Sequence, residues 1–375
     1  MKQFKIGDLT VKLPIVQGGM GVAISLSGLA SAVANQGGIG VISAVGIGMT
    51  EPDYIKNFKE ANKRALKKEI SKARRMTNGI LGVNIMLAVT DSEDLMNIAV
   101  DEGIDVVFIG AGLPLKMPEK ILSKGFQNIK TKFIPKVSSA KAIKVILKYW
   151  ADRYNYVPDA FAVEGPLAGG HLGFKKSELD DNSVKLSSII KDSVQEVKPY
   201  IEQYGKDIPV IAAGGIYTGK DIYEIMQYGA KAVKMGTRFV TTYECDAALE
   251  FKESYINCNK EDIMIIDSPV GLPGRVIQNE FVNQIQKGEE KPFKCSWQCL
   301  KTCDFRSVQY CIAGTLFNSA QGKMNEGFAF AGSNAYRATR LQTVKEIFDE
   351  LISEYDLTER AALFSTKNNM VISAA

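Results

Sequence analysis

Short apolar segments recur along the 375-residue chain, and each ends at a glycine-rich or polar loop. The segments are apolar almost throughout instead of alternating, which is typical of strands buried on both faces. They lie at residues 13–19, 39–46, 80–86, 105–112, 132–137, 160–165, 209–215 and 232–238. The pattern therefore predicts eight buried strands.

Helical patterns lie between these segments. One apolar helix face, with the spacing i, i+3, i+4, i+7, i+8, is formed by Leu26, Leu29, Ala30, Val33 and Ala34. The spacing of a capping box marks two helix starts, at Thr90 with Glu93 and at Thr218 with Asp221. Glycines that tolerate a left-handed C′ conformation stand where helices should end, at Gly37, Gly103 and Gly229.

Eight strands alternating with helices predict an α/β fold, a (β/α)8 TIM barrel over residues 1–238. An open doubly wound sheet is the alternative, but eight units in this length fit the barrel better. Residues 239–330 exceed what a barrel needs, so we expect a small substrate-side insert domain over its mouth. Residues 331–375 then hold a barrel-closing helix, around 339–355, and a tail.

Composition narrows the classes of function. A formal net charge of +4 is mild and argues against a nucleic-acid partner. The basic run at 63–75 is interpreted as a solvated helix face. The alternative is a docking site for an acidic partner. The chain has no apolar run of membrane-spanning length and no apolar core near its N-terminus, so we expect a cytoplasmic protein without a membrane partner.

The candidate site lies where the predicted strands end. TIM-barrel active sites are built at the C-terminal ends of the strands, and the loops after strands seven and eight commonly bind phosphate. Here those loops contain Gly214-Gly215 and Gly236-Thr237. Glycines that merely make tight turns are the alternative, but their joint occurrence in these two loops favours a phosphate site.

His171 is the only histidine in the chain, and it lies in the glycine-rich loop after predicted strand six. The ordinary pKa of histidine lies near neutrality, so this side chain can exchange a proton at working pH. Gly169, Gly170 and Gly173 give its ring no bulky neighbour in the loop. An incidental loop histidine is the alternative to a catalytic one.

Six motifs occur together in order: "PIVQGGMG", "GVNIM", "GAG", "EGPLAGGHLG", "PVIAAGGI" and "GTRF". With them the chain resembles the nitronate monooxygenase family, formerly called 2-nitropropane dioxygenases, and the related flavin-containing enoyl-ACP reductases. The resemblance covers about residues 13–240 and resumes near 327–334. The six motifs taken together are specific for this family, whereas any one of them alone is not.

The resemblance implies FMN as cofactor and His171 as the catalytic histidine. It places Lys136 near the flavin ring, where its charge would stabilise an anionic reduced flavin or substrate; a surface lysine is the alternative. The implied cofactor-binding residues are Gly19, Met20, Asn84, Gly112, Glu164, Gly169, Gly170, Gly214, Gly215, Gly236, Thr237 and Gly332. Family members often carry an acidic residue before "AGGH", where this chain has Pro166-Leu167, so His171 lacks a local carboxylate.

Four cysteines crowd into residues 295–311, as Cys295, Cys299, Cys303 and Cys311. The first three share one helical face if the segment is helical. Four thiolates suit zinc or an iron–sulfur cluster, although the spacing is not that of common zinc sites. Free cysteines that pack as small hydrophobic residues are the alternative.

Three functions follow from these features. The first is oxidation of an alkyl nitronate by O2, in which the loop at 268–276 could close over the site. The second is an NAD(P)H-dependent enoyl thioester reductase, which predicts an acidic carrier partner. The third is a non-catalytic flavin-binding redox protein built around the cysteines. A small-molecule substrate is expected in the first two, and a homodimer is compatible with the sequence.

Overall fold

The computed structural model describes residues 1–180 and 183–373. Its strands are β1 (Phe4–Ile6), β2 (Leu9–Val11), β3 (Ile15–Gln17), β4 (Ile39–Ser43), β5 (Ile80–Met86), β6 (Val106–Gly110), β7 (Lys132–Val137), β8 (Phe161–Glu164), β9 (Gly170–His171), β10 (Val210–Ala213), β11 (Ala232–Met235), β12 (Ile263–Asp267) and β13 (Pro273–Ile277).

The helices alternate with these strands along the barrel. They are α1 (Ser27–Asn35), α2 (Phe58–Met76), α3 (Ser92–Asp101), α4 (Glu119–Lys124), α5 (Ala140–Tyr154), α6 (Lys176–Asp180), α7 (Leu186–Tyr204), α8 (Gly219–Met226), α9 (Thr237–Val240), α10 (Leu249–Ile256), α11 (Glu280–Gln286), α12 (Ile312–Ala320) and α13 (Val344–Ser373). Short 3-10 helices occupy Ile47–Thr50, Phe126–Asn128, Lys260–Asp262 and Ala335–Arg337.

Within the described residues, eight parallel strands close into a barrel in the order β10-β11-β3-β4-β5-β6-β7-β8. Each corresponds to one of the apolar segments in the sequence, so the predicted TIM barrel is confirmed and the open sheet is excluded. The apolar runs are needed because each strand faces the barrel interior on one side and the helices on the other. No helix in the described part of the chain is long and apolar enough to cross a membrane.

The helix boundaries follow the sequence signals in most places. Thr218 caps α8 in a complete capping box with Asp221, as predicted. The prediction for Thr90 is wrong, because α3 begins after Asp91 and the Thr90 hydroxyl is buried without a partner. Gly37 and Gly103 have φ of +87° and +68° just after α1 and α3, where a Cβ would be strained.

The C-terminal helix closes the outer layer of the barrel. It was predicted around residues 339–355, but α13 begins at Val344 and extends to Ser373. The helix packs against α8, α1 and α9, so it fills the gap between the last and first helices of the ring. The last two residues of the predicted tail, 374 and 375, lie outside the described residues.

The segment 239–330 supplies its own helices and a β-hairpin of β12 and β13. This hairpin is antiparallel, and β13 also pairs with β9 in the loop after β8. A second link joins Leu300 to Val89 through an antiparallel bridge. The segment therefore contacts loops at the C-terminal end of the barrel, while the proposed domain boundaries at residues 238 and 330 stay a prediction.

Candidate active site

The residues selected from the sequence lie at the C-terminal ends of the barrel strands. Because parallel strands of a barrel end on the same rim, seven separate strand ends bring these residues together. Gly19 and Met20 follow β3, Asn84 lies in β5, Gly112 follows β6, Lys136 lies in β7, Glu164 ends β8, Gly214 and Gly215 follow β10, and Gly236 and Thr237 follow β11.

One side of the rim is made of residues that approach one another too closely for larger side chains. A Cβ on Gly19 would lie 2.4 Å from the Cβ of Asn84, and one on Gly236 would lie 3.4 Å from the sulfur of Met20. The Met20 N–H donates a hydrogen bond of 2.8 Å to Ser25 Oγ, which fixes this turn. Gly112 has φ of +140°, a region that favours glycine. Gly19 therefore cannot carry a side chain without displacing Asn84.

The predicted phosphate loops lie beside the segment 331–334. Gly214 and Gly215 have φ of +94° and +80°, so both turns require glycine. The Thr237 hydroxyl oxygen accepts a hydrogen bond of 2.9 Å from the Gly332 N–H. Asn334, which the sequence did not single out, donates from Nδ2 to the Gly215 carbonyl at 2.8 Å. The loops after β10 and β11 are thus tied to one returning segment.

Gly169 and Gly170 connect β8 to β9 for different reasons. A Cβ on Gly169 would lie 2.5 Å from both the carbonyl carbon of Ala331 and the nitrogen of Gly332. Gly170 has φ of +80° but open space around its missing Cβ. The first glycine therefore permits a close approach of two backbones, whereas the second permits a turn of the chain.

Lys136 and Glu164 form an ion pair on the rim, with 2.8 Å between Nζ and Oε1. The Lys136 side chain is 30% exposed and that of Glu164 is 12% exposed. Lys136 is therefore part of the candidate site and not a lysine of the outer surface. The pair places one positive and one negative charge at neighbouring strand ends.

Lys234 of β11 is a third charged residue of this region, and sequence reasoning missed it. Its ammonium lies 4.3 Å from the centre of the Phe108 ring. Burial, and then the nearby Lys136, lowers the pKa of Lys234 to about 7, while Glu164 acts in the opposite direction. A lysine inside the apolar run "AVKM" was the signal that could have identified it.

His171 is held by residues that are distant in sequence. It pairs with Gly274 of β13, and 2.6 Å separates its Nε2 from Ser268 Oγ. The ring also meets Phe330 at 4.8 Å between ring centres, in an edge-on orientation. The expectation of a ring without bulky neighbours holds for the loop itself but not for the folded chain, because Phe330 comes from the returning segment.

The surroundings of His171 keep its imidazole neutral. Burial, with a smaller contribution from the Lys136 ammonium, lowers the pKa of His171 to about 4. A neutral imidazole has one nitrogen that donates and one that accepts a hydrogen bond. At pH 7 the residue can therefore accept a proton, although its basicity in this state is low.

Arg275 of β13 supports the loop that carries His171, and no signal in the sequence identified it. Its Nη1 donates to the carbonyl oxygens of Pro166, at 2.8 Å, and of Ala168. Burial lowers the pKa of the Arg275 guanidinium to about 10. This arginine therefore holds the segment with Pro166-Leu167 that precedes His171.

The cysteine segment is not helical, so the expected helical face of Cys295, Cys299 and Cys303 is wrong. Turns bring these residues and Cys311 to the lining of one cavity instead. Within the described ranges, no three His, Cys, Asp or Glu side chains are arranged to hold a metal ion. This arrangement does not fit zinc, whose ligands converge on one point.

Comparison with known proteins gives the family. A family model described as nitronate monooxygenase matches residues 2–354. A probable nitronate monooxygenase of Staphylococcus saprophyticus is 25% identical over 306 residues, which cover 76% of this chain and 81% of that protein. A (3aS,4S,5R,7aS)-5-hydroxy-7a-methyl-1-oxo-octahydro-1H-indene-4-carboxyl-CoA dehydrogenase of Mycobacterium tuberculosis is 27% identical over 74% of this chain, but the match spans only 66% of that protein.

Two solved structures resemble the whole chain. FabK from Thermotoga maritima has a TM-score of 0.72 at 28% identity, covering 95% of this chain and 96% of its own. A nitroalkane oxidase from Streptomyces ansochromogenes has a TM-score of 0.70 at 21% identity, covering 94% and 98%. At that lower identity the second match supports the fold alone.

Proposed function

The chain belongs to the nitronate monooxygenase family of flavin-dependent oxidoreductases, and on that premise we propose that it binds FMN at the barrel rim and oxidises alkyl nitronates with O2 to a carbonyl compound and nitrite. The observation that carries the proposal is the arrangement around His171. A neutral imidazole and a lysine ammonium lie close enough at the barrel mouth for the lysine to affect the pKa of the imidazole.

The shape of the rim fits FMN. A planar ring needs space beside the backbone, and Gly19 and Gly236 carry no side chain at two neighbouring strand ends of the rim. An anionic phosphate group needs backbone N–H donors, which the positive-φ turns at Gly214 and Gly215 would supply. When bound, FMN would supply the redox chemistry that no side chain of the protein can perform.

The protein's own residues then divide the remaining tasks. Lys136 would attract the anionic nitronate, with Glu164 holding its ammonium on the rim. His171 would take the α-proton of a neutral nitroalkane, and the Ser268 hydroxyl would fix the direction of its ring. Phe330 would cover one side of the imidazole, because its ring lies 4.8 Å from the imidazole between ring centres.

Reduction of an enoyl thioester is the second candidate, and one observation favours it. The mycobacterial relative acts on a CoA thioester, as its name states. The basic run at 63–75 does not add support for an acidic carrier protein. Several of its charged side chains already form ion pairs with acidic residues of this protein. Lys63 pairs with Glu60 and Asp94, and Arg74 pairs with Asp105.

One anaerobic experiment separates the two. The purified protein with bound FMN is mixed in one arm with an alkyl nitronate and in the other with NADPH, and the flavin absorbance is followed. Bleaching by the nitronate but not by NADPH is expected. Bleaching by NADPH alone would contradict the proposal and favour the thioester reductase, and a protein that binds no FMN would contradict both.

A further inference from the structure

A cavity of about 170 Å³ lies between the four cysteines of the 295–311 segment, outside the candidate active site. Cys295, Cys299, Cys303 and Cys311 all line it, and electrostatic interactions connect all four thiols to one another. All four thiols are free of disulfide bonds. Four thiols thus surround a space instead of meeting at its centre.

Two of the sulfurs already accept hydrogen bonds from the backbone. The Gln298 N–H donates to Cys295 Sγ, and the Gly314 N–H donates to Cys311 Sγ, each at 3.4 Å. Cys311 is also the N-cap of α12, a helix of nine residues. Backbone N–H groups therefore contact two of the four cysteine sulfurs.

Two residues of the cavity lining carry buried donors that lack acceptors. Both the indole N–H of Trp297 and the hydroxyl of Tyr310 are buried without a hydrogen-bond partner, and both residues line the cavity. Tyr310 is only 2% exposed. A buried donor without an acceptor costs about 1–3 kcal/mol, so the lining of this cavity carries an energetic cost.

We propose that Cys295, Cys299, Cys303 and Cys311 bind a [4Fe–4S] cluster. Each thiolate of such a cluster binds a different iron atom, so the sulfurs stand apart around a compact body. This explains why four cysteines share one cavity without forming a site for a single ion.

The proposed cluster site is attached to the rim of the barrel by backbone contacts. The Thr90 N–H donates to the Cys299 carbonyl at 3.0 Å, and the Lys301 N–H donates to the Ala88 carbonyl at 2.9 Å. Residues 87–90 follow β5, the strand that carries Asn84. The cluster would therefore lie beside the loop that leads from the candidate flavin site.

The test uses the full chain, purified without oxygen and reconstituted with ferrous iron and sulfide. About four iron atoms and four acid-labile sulfides per chain are expected, with an electron paramagnetic resonance signal after reduction by dithionite. Cys299→Ala should lose that signal and the bound iron. Cys258→Ala is the matched control, because Cys258 is also buried and free but lies outside the cavity, and it should retain both.

Flavin content is measured on the same samples, so that a failure of FMN binding and a failure of cluster binding are distinguished. Circular dichroism checks the fold, and Cys303→Ala replaces Cys299→Ala if the latter does not fold. The proposal is overturned if the reconstituted wild-type protein contains no iron and sulfide, if it contains one zinc ion per chain instead, or if the folded cavity variant keeps its iron.

Discussion

Individual side chains at the rim acquire their chemistry from neighbours that are far away in sequence. His171 lies among glycines in the chain, but in the structure it contacts Ser268 and Phe330. Burial lowers its pKa, and the same effect lowers the pKa of Lys234. Near pH 7 the His171 imidazole is therefore largely uncharged, and the Lys234 amine is partly uncharged. A lysine with its ordinary pKa would be fully charged at this pH.

The role proposed for His171 is tested by His171→Asn. Turnover of a neutral nitroalkane should fall by at least about 100-fold, because the variant cannot accept the α-proton. Turnover of the preformed nitronate should change much less, since that substrate has already lost the proton. Steady-state oxygen consumption with the two substrates measures the difference. An equal loss with both would show that His171 acts in binding and not in proton transfer.

The buried charge of Lys234 is tested by Lys234→Met. Its pKa falls from 10.5 to about 7 on folding. Between these values the unfolded chain binds a proton that the folded chain does not, so the stability of the wild type rises with pH. Near pH 6, Lys234→Met should be more stable by about 2–4 kcal/mol, because methionine carries no buried charge. That advantage should shrink towards pH 10.

Urea unfolding of the flavin-free proteins between pH 6 and pH 10 measures this difference. A constant difference between Lys234→Met and the wild type across that range would show that Lys234 keeps its ordinary pKa in the folded protein.

At the scale of elements, the sheet of β12, β13 and β9 positions the catalytic loop. A two-residue strand such as β9 cannot hold its geometry alone, and here the longer β13 supplies the register by pairing Gly274 with His171. The Arg275 guanidinium stabilises the preceding part of the loop by donating hydrogen bonds to the carbonyls of Pro166 and Ala168. We expected the 268–276 loop to close over the site. In the structure it contacts the loop that carries His171, through the pairing of β13 with β9 and through Ser268.

Arg275→Met tests this support. The variant keeps most of the side-chain length but leaves two buried carbonyl groups without their charged donor, so the free energy of unfolding should fall by about 3 kcal/mol. The value of kcat should also fall, because His171 loses its position. Arg306→Met is the control, since Arg306 is exposed, and its effect should stay within about 0.5 kcal/mol.

Chemical denaturation and steady-state kinetics of the two arginine variants provide the measurements. If Arg275→Met is destabilised but keeps the full kcat, the arginine supports the fold without positioning His171.

For the whole molecule, stability depends on closing the ring of helices with the C-terminal helix. Phe348 of α13 is 1% exposed and packs beside Phe239 of α9, with 5.9 Å between the ring centres. It also lies against Gly38, where any Cβ would come within 3.0 Å of its ring. One residue thus links the C-terminal helix to the turn before β4 and to α9, which follows the last strand of the barrel.

Phe348→Ala should lower the free energy of unfolding by about 3–5 kcal/mol, because it leaves a cavity between α13 and the barrel. Phe364→Ala in the same helix is the matched control: its ring is 69% exposed, and the expected change is below about 0.5 kcal/mol. Thermal and urea denaturation compare the two. Equal effects would mean that α13 does not stabilise the barrel through this contact.

The sequence by itself determined the barrel, the rim and the candidate histidine. Strands buried on both faces must be apolar throughout, and turns with positive φ require glycine, so both features are visible in the residues themselves. Gly214, Gly215 and the eight apolar segments were found in this way. The helical cysteine face was wrong, because residue spacing does not specify the path of an irregular segment.

Only the tertiary structure decided the environment of these residues. It brought Ser268, Arg275 and Phe330 to His171 and placed Lys234 beside the rim. It also arranged four thiols around a cavity. Burial and long-range contacts set the pKa of a buried group and its hydrogen-bond partners, and both depend on segments more than 90 residues apart in the chain.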